Sequence, residues 1–445
     1  MGEGLQPTER SRRQNLRVFV LNKRGQPLMP CSPAKARILI KEHKAIVKRR
    51  TPFTIQLTTT TGETKQPITL GVDAGSKFIG ISASTKRAEL YASEVVIRND
   101  ITELLSTRKE LRIARRGRKT RYRAPRFDNR VHSKHKGWLA PSTENKINVH
   151  ISRIDFVKKI LPVSKITVEI GSFDIQKIKN PDIEGVGYQQ GDQLGFWNVR
   201  EFVLSRNGHK CQYCKGMSKD PILNVHHLQS RKTGGDAPNN LITLCETCHK
   251  ALHRGEIQLK QKRGKSFKDA AFMSIMKNTL ISRLKEKYPE SLIQITYGYI
   301  TKSNRIKHNI KKSHHDDAFC IAGNFEAKRL NSYYLQKQTR KHNRQIHKMT
   351  INKGGIRKRN QAPYEIKGFR LFDKVRYKGQ EAFIWGRRSA GNCILKLLTG
   401  EKIHNGIGFG KLKLLEKRKT FLTQLIKENA IPPATEVVGS IAEFQ

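Results

Sequence analysis

Two Cys-x-x-Cys pairs, Cys211/Cys214 and Cys245/Cys248, constrain the fold of this chain more than any other feature. Four thiolates at such spacings are typical of a structural zinc site with a closed tetrahedral shell. The stretch between the pairs is longer than in a plain zinc ribbon. It carries the strand-like segment ILNVHHL and a Gly-Gly turn. The sequence therefore predicts a small folded module held by zinc, in which the four cysteines do no chemistry.

The zinc module also carries an ordered set of polar residues: His226, His227, Asn240 and His249. Hydrolysis of a phosphodiester needs a base that takes a proton from water and a cation that stabilises the leaving oxygen. A lone histidine is usually structural, but this ordered set inside a cysteine frame resembles the HNH nuclease motif. The resemblance implies that His227 is the base, that His226 and His249 hold magnesium, and that Asn240 fixes the backbone near the base.

One position departs from the pattern of that family. Many members have Asp where this chain has His226, which weakens the assignment of a metal role to this residue. His253 lies one helical turn after His249 and is an alternative metal ligand. The resemblance leaves the choice between His249 and His253 open.

Three carboxylates, Asp73, Glu169 and Asp317, lie in the segments LGVDAGS, ITVEIGS and SHHDDAF. The first two segments are strand-like and apolar, and the third begins an apolar helix. Burying a carboxylate is costly unless it is paired or bound to a cation. The segments resemble the three parts of RuvC-type, RNase H-like nucleases, although ATPases of the actin-like fold begin similarly to the first. The resemblance implies two magnesium (or manganese) ions on these carboxylates and His314 as an activating base. Asp316 is expected to be a helix cap.

The net charge points to a polyanionic partner. The 445 residues include 87 Lys and Arg against 37 Asp and Glu, a formal charge of +50. Such self-repulsion is unfavourable without nucleic acid. No apolar run approaches the length of a membrane span, and Cys31, Cys320 and Cys393 form no disulfide framework. We therefore expect a protein without membrane contact in a reducing compartment, the cytoplasm of a prokaryote, associated with its nucleoid.

The densest basic stretch covers residues 106–138, with Tyr122, Phe127 and Trp138 interleaved as stacking surfaces. A solvated helix face or a basic arm is the alternative interpretation. The stretch resembles the arginine-rich bridge helix of RNA-guided nucleases, in which guanidinium groups hold the phosphates of the guide. The arginines assigned to this role are Arg108, Arg112, Arg115, Arg116, Arg118, Arg121 and Arg123.

A compact basic unit of strand, turn, helix and strand is predicted over residues 17–60. Ser32 is expected to cap its helix and Pro33 to occupy the first helical position. Ala36, Ile40 and Ala45 are predicted to form the buried face of this helix. The PLMP tetrapeptide that precedes the helix resembles the signature of the amino-terminal domain of IscB proteins.

The order of these segments resembles the IscB family from residue 17 to residue 415. The implied fold is multidomain α/β: an RNase H-like (RuvC) core in three segments, an inserted ββα-metal HNH zinc module, an arginine-rich bridge helix and a small β-rich C-terminal domain. The expected boundaries are 1–16 flexible N-terminus, 17–60 PLMP domain, 66–105 RuvC I, 106–138 bridge helix, 139–177 RuvC II, 178–204 linker, 205–256 HNH, 257–335 RuvC III, 336–364 basic linker, 365–430 β-rich domain contacting the guide or target-adjacent motif, and 431–445 tail.

The IscB resemblance implies an RNA-guided DNA endonuclease. Such an enzyme binds a structured guide RNA as a monomer and opens duplex DNA beside a short target-adjacent motif. HNH then cuts the guide-paired strand and RuvC the displaced strand, while base pairing supplies the sequence specificity. Two alternatives remain: a guide-free homing or junction endonuclease, and a nucleic-acid-binding protein with remnant nuclease sites.

Overall fold

The computed structural model describes residues 17–117, 137–171, 192–230, 235–264, 268–340, 350–351, 357–358, 363–388 and 390–428. Two compact units share the chain. The first is formed by Met1–Gly171 and Ile275–Gln445, and the second by Ser172–Ser274. The second unit is therefore an insertion within the sequence of the first.

The helices are α1 (Pro33–Lys41), α2 (Ile101–Gly117), α3 (Pro141–Lys158), α4 (Val199–Arg206), α5 (Glu246–Arg254), α6 (Lys268–Lys287), α7 (Gly298–Lys307) and α8 (His314–Ala322). The strands are β1 (Phe19–Leu21), β2 (Ala45–Arg49), β3 (Thr54–Leu57), β4 (Thr69–Ala74), β5 (Phe78–Ser84), β6 (Glu89–Val96), β7 (Lys165–Glu169), β8 (Leu223–His227), β9 (Leu241–Cys245), β10 (Leu292–Thr296), β11 (Ser332–Gln338), β12 (Thr350–Ile351), β13 (Arg357–Lys358), β14 (Glu365–Ile366), β15 (Phe369–Arg370), β16 (Lys374–Tyr377), β17 (Gln380–Arg387), β18 (Asn392–Lys396), β19 (Lys402–Gly408), β20 (Lys413–Glu416) and β21 (Phe421–Lys427).

The N-terminal part is a three-stranded sheet, in the order β1-β3-β2, beside helix α1. The Ser32 hydroxyl accepts a hydrogen bond from the Lys35 amide at 3.3 Å, and Pro33 is the first helical residue, as predicted. The helix is shorter than expected, because His43 adopts a positive φ of 54° and Ala45 already belongs to β2. Both alanines are buried, but Ala36 lies on α1 and Ala45 lies on β2.

A seven-stranded sheet in the order β10-β7-β4-β5-β6-β11-β21 forms the centre of the first unit. Strands β10, β7 and β4 run parallel. Strand β5 runs antiparallel to both of its neighbours, β4 and β6, so β6 has the same direction as β4. Strand β4 has buried residues in succession, as expected for a central strand that is covered on both faces.

Helix α8 packs unusually close to β4 and β5 because glycines face it. A Cβ added to Gly71 would lie 1.9 Å from the Ala318 carbonyl oxygen, and one added to Gly80 would lie 1.8 Å from the His314 carbonyl oxygen. Any side chain at either position would push the helix away from the sheet. These two glycines therefore set the distance between the start of α8 and the end of β4, where Asp73 lies.

The second unit contains an antiparallel β8–β9 pair followed by α5, with Leu223 opposite Cys245 and His227 opposite Leu241. Helix α4 packs against these strands, with Val203 fully buried. Residues 199–204 are therefore helical and were wrongly assigned to a linker. Residues 178–191 of that predicted linker lie outside the described residues.

The C-terminal part of the first unit contains a five-stranded antiparallel sheet in the order β19-β18-β17-β16-β20. Its core includes fully buried Val375, Ile384 and Leu395. The last described strand does not belong to this sheet: β21 pairs antiparallel with β11 and completes the central sheet. The boundary predicted at residue 336 is also wrong, because β11 continues to Gln338.

Two other predicted boundaries change. Helix α2 begins at Ile101, before the residue 106 expected for the bridge helix, and the described part of this stretch ends at Gly117. Residues 298–307, inside the segment assigned to RuvC III, form helix α7. Within the described residues, no helix has the length and apolar character required to cross a membrane.

Candidate nuclease centres

The first centre lies at the end of β4 in the first unit. Asp73 and Glu169 are register partners on the neighbouring parallel strands β4 and β7. Asp317 lies in the first turn of α8, which the glycine contacts hold over β4. Three carboxylates that are far apart in the sequence therefore meet at one edge of the sheet, as the sequence interpretation requires.

The charges of these carboxylates act on one another. Burial raises the pKa of Glu169, and the charges of Asp73 and Asp317 raise it further, while a hydrogen bond from the Thr301 hydroxyl opposes the shift. Burial also raises the pKa of Asp317, followed by the charge of Asp73. Such mutual repulsion favours a bound cation. A set of carboxylate oxygens suits Mg²⁺ or Mn²⁺, so the residues fit the predicted metal.

His314 lies beside these carboxylates and is held on two sides. Its Nδ1 is 2.7 Å from Asp73 Oδ2, and its ring stacks on Phe78 with centroids 4.9 Å apart and an interplanar angle of 18°. The hydrogen bond to Asp73 raises the pKa of His314, against the effect of burial. This arrangement fixes the ring and directs Nε2 away from Asp73.

Two contacts of the centre were missed by the sequence analysis, and both come from α7. The Thr301 hydroxyl donates to Glu169 Oε2, and Arg305 Nε lies 3.2 Å from Asp317 Oδ1. Their i, i+4 spacing places both on one helical face. That signal could be used only once the segment was recognised as a helix.

Asp316 contacts residues outside the carboxylate set, and it takes part in capping α8 without being the cap residue that the sequence predicted. Ser313 is the N-cap of α8, and its hydroxyl both accepts from the Asp316 amide at 3.1 Å and lies 2.7 Å from Asp316 Oδ2. The other carboxylate oxygen pairs with Arg329. Asp316 therefore supports the cap as its reciprocal partner rather than as the cap residue itself.

The second centre is a group of three histidines in the second unit. His226 on β8 and His249 and His253 on α5 can each offer a ring nitrogen, and these atoms all lie within 4.8 Å of one another. His249 Nε2 and His253 Nε2 are 3.2 Å apart. The structure thus brings both alternative ligands to the same place as His226.

The surroundings of His226 and His249 favour the neutral form of their imidazoles. Burial lowers the pKa of His226 to about 4, with further lowering from the charges of His249 and His253. Burial and His253 also lower the pKa of His249. Neutral imidazole is the metal-binding form. Three nitrogen donors suit Mn²⁺, Co²⁺, Ni²⁺ or Zn²⁺, whereas Mg²⁺ requires oxygen donors, so magnesium does not fit this donor set.

His227 follows His226 on β8, and Asn240 directly precedes the paired strand β9. His227 Nε2 is 2.9 Å from Asp236 Oδ1, a partner that the sequence analysis did not identify. Asn240 is fully buried, and its amide group bonds the Gln229 amide, the Gln229 carbonyl and the Gly235 carbonyl, each at 2.9 Å. Asn240 therefore ties Gln229 to Gly235 in the segment that follows His227, and its role near the base stays a prediction.

The four cysteines form a closed cluster in the same unit. Cys211, Cys214, Cys245 and Cys248 are all buried and offer sulfur atoms that lie within 4.8 Å of one another. The Ser218 hydroxyl is 3.3 Å from Cys214 Sγ and 3.1 Å from Cys245 Sγ, a hydrogen bond that supports thiolate sulfur. Four soft donors in a buried shell fit zinc, so this part of the chain contains a suitable zinc site.

The predicted guide-binding arginines are only partly described. Arg108 and Arg112 are exposed on α2, and the helix continues through Arg115 and Arg116. Arg118, Arg121 and Arg123 lie outside the described residues.

The class of protein follows from comparison with known families. Residues 211–255, which span the cysteines and the three histidines, match the HNH endonuclease family. Residues 18–191 match a family described as RRXRR protein. The chain thus carries an HNH endonuclease domain in a mixed α/β, multidomain fold.

Solved structures of individual nucleases provide a more distant comparison. Streptococcus thermophilus Cas9 in complex with AGGA PAM has 13% identity, covering 42% of this chain and 26% of that one, with a TM-score of 0.28. The Type II-C Cas9 enzyme from Actinomyces naeslundii has 10% identity, covering 58% and 60%, with a TM-score of 0.24. The chain spans less than two thirds of either Cas9. No curated protein matches it.

Proposed function

We propose that this chain is an RNA-guided DNA endonuclease of the IscB type that cuts both strands of a target duplex. The observation that carries the proposal is the presence of two separate sets of hydrolytic residues on one chain of formal charge +50. Two centres that share no residue suit two cuts. The large basic excess suits a long RNA in addition to the DNA.

In the HNH centre, His227 is the general base. Asp236 orients the ring, and the imidazole takes the proton of the water whose oxygen attacks phosphorus. The bond from phosphorus to the leaving oxygen then breaks. A cation held by His226, His249 and His253 would stabilise the charge on that oxygen. Asn240 keeps the loop after His227 in one conformation, which preserves the position of the base.

In the carboxylate centre, Asp73, Glu169 and Asp317 would hold Mg²⁺ or Mn²⁺ ions, which stabilise the attacking and leaving oxygens. His314 accepts the proton of the attacking water. Its bond to Asp73 and its stacking on Phe78 hold the ring in place for this step. Thr301 and Arg305 orient the Glu169 and Asp317 carboxylates.

The remaining parts of the chain bind nucleic acid. The unit at 17–60, the α2 arginines and the C-terminal sheet contact the guide RNA and the target-adjacent motif. The carboxylate centre is the RuvC centre and cuts the displaced strand, and the HNH centre cuts the guide-paired strand. The protein acts as a monomer within the ribonucleoprotein.

The proposed function is tested by the RNA that copurifies with the protein. We expect one structured RNA species, and we expect double-strand cutting only of DNA that matches a segment of it. The measurement is RNA sequencing followed by cleavage assays with and without added RNA. Equal cutting after removal of the RNA would identify a guide-free endonuclease. RNA binding without any cutting would identify a protein with remnant sites.

The donor set of the HNH centre leads to a metal prediction. With Mg²⁺ as the only divalent ion, we expect the displaced strand to be nicked efficiently and the guide-paired strand poorly, because three imidazoles bind Mg²⁺ weakly. Adding Mn²⁺ or Co²⁺ should restore the second nick. The measurement is strand-labelled cleavage across a metal series. His226→Asp is the matched control, because an oxygen ligand should raise the Mg²⁺-supported nick. Equal Mg²⁺-supported nicking of both strands by the unmodified protein would contradict this assignment.

A further inference from the structure

An exposed aromatic pair marks the start of α7. The residues Tyr297 and Tyr299 are 41% and 73% exposed, and their rings lie almost parallel, with centroids 6.1 Å apart and an interplanar angle of 8°. This is the geometry of an offset stack. Rings whose role was to pack in the core would be buried. The pair instead presents a flat aromatic face to solvent, to which a further ring can be added.

The pair is located at the carboxylate centre. Gly298 lies between the two tyrosines, and a Cβ added to it would lie 3.2 Å from Glu169 Oε1. Thr301, on the first turn after the pair, donates to the same carboxylate. The backbone that carries the two rings therefore forms part of the wall around Glu169.

The charged side chains of α7 itself favour an anionic ligand with flat rings. Helix α7 contains no acidic residue, and it carries Lys302, Arg305 and Lys307. Lys302 and Lys307 are exposed, whereas Arg305 pairs with Asp317. Aromatic faces beside exposed cations are the combination that binds single-stranded nucleic acid, with bases on the rings and phosphates on the lysines.

We propose that Tyr297 and Tyr299 form a base-stacking subsite for the DNA strand whose phosphodiester is cut at the carboxylate centre. The inference rests on the proposed function and adds a role that neither metal binding nor proton transfer supplies. Stacking of an unpaired base on the pair holds the strand so that the phosphate nearby reaches Glu169. Because every base has an aromatic face, the subsite accepts all four bases.

The test compares Tyr→Ala with Tyr→Phe at both positions under single-turnover conditions. Tyr299→Ala is expected to slow nicking of the displaced strand about 10-fold, on the order expected for losing one stacked base. The double Ala variant is expected to be slower still, whereas Tyr297→Phe and Tyr299→Phe keep the rate because they keep the rings. Nicking of the guide-paired strand in the same reaction is the internal control and should not change.

A second arm removes the base instead of the ring. Abasic nucleotides are placed one at a time around the cut in the displaced strand. At one position the unmodified protein should slow as Tyr299→Ala does, and the abasic substrate should not slow that variant further. The subsite alone would be overturned if the Ala variants nick normally. It would also be overturned if the rate losses from the Ala substitution and from the abasic nucleotide multiply at every position tested. Absence of displaced-strand nicking by the unmodified protein would overturn the proposed function together with the subsite.

Discussion

Asp73→Ala is expected to abolish cutting of the displaced strand and to leave the guide-paired strand cut. Asp73 is central to the carboxylate centre: it neighbours Glu169 in register, its charge acts on Asp317, and it orients His314. Its loss removes a metal ligand and the partner of the base at once. The measurement is cleavage of a strand-labelled duplex on a denaturing gel.

His227→Ala is expected to give the opposite nick. Loss of a general base slows hydrolysis by roughly 10²–10⁴-fold, so the guide-paired strand should remain largely intact. Suitable controls are Glu42→Ala, which removes an exposed carboxylate outside both centres, and His209→Asn, which removes an exposed histidine of the second unit. If either single substitution at Asp73 or His227 stopped both cuts, the two centres would not act independently.

Cys211→Ser is expected to remove zinc and unfold the HNH module while nicking by the carboxylate centre persists. Structural zinc contributes about 10–16 kcal/mol to folding in small zinc domains, far more than the core of a small module provides. The core around the cysteine cluster includes Ile242 and Leu244, and it also includes the four cysteines themselves. Removing one thiolate therefore weakens the metal site and the core together.

Metal analysis and limited proteolysis measure this result. Zinc content should fall from one ion per chain, and the region 205–256 should become sensitive to protease. Cys31→Ser is the matched control, because Cys31 lies in the N-terminal sheet region and not in the cluster. Full zinc content in Cys211→Ser, with normal cutting of the guide-paired strand, would argue against a structural Cys₄ site.

Local spacing was sufficient to predict the two halves of the cysteine cluster and one helix start. Each Cys-x-x-Cys pair brings its own two thiolates close together, because residues three apart lie about one turn apart; Cys245 ends β9 and Cys248 lies in the first turn of α5. His249 and His253 share a face of α5 because residues four apart lie one turn apart. Ser32 and Pro33 predicted the beginning of α1 for the same reason, since capping depends on the adjacent three or four residues.

The tertiary structure alone decided which residues contact the predicted carboxylates. The sequence indicated Asp73, Glu169 and Asp317 through resemblance, but it contained no signal for Arg305 or Thr301, because α7 was not recognised as a helix. Asp236 was missed for a similar reason: its contact with His227 joins residues nine apart in the sequence, outside any helical or strand periodicity.

The central seven-stranded sheet also has a feature that only the tertiary structure revealed. Strand β21 was assigned to the C-terminal domain by its position in the chain, yet it pairs with β11 in the central sheet. Periodicity identifies a strand but not its neighbour, because pairing is set by backbone hydrogen bonds between distant segments. The close approach of α8 to Gly71 and Gly80 is likewise invisible in a local window. The sequence by itself predicted which residues could do the chemistry, and long-range packing determined which of them meet, because that depends on contacts between segments far apart in the chain.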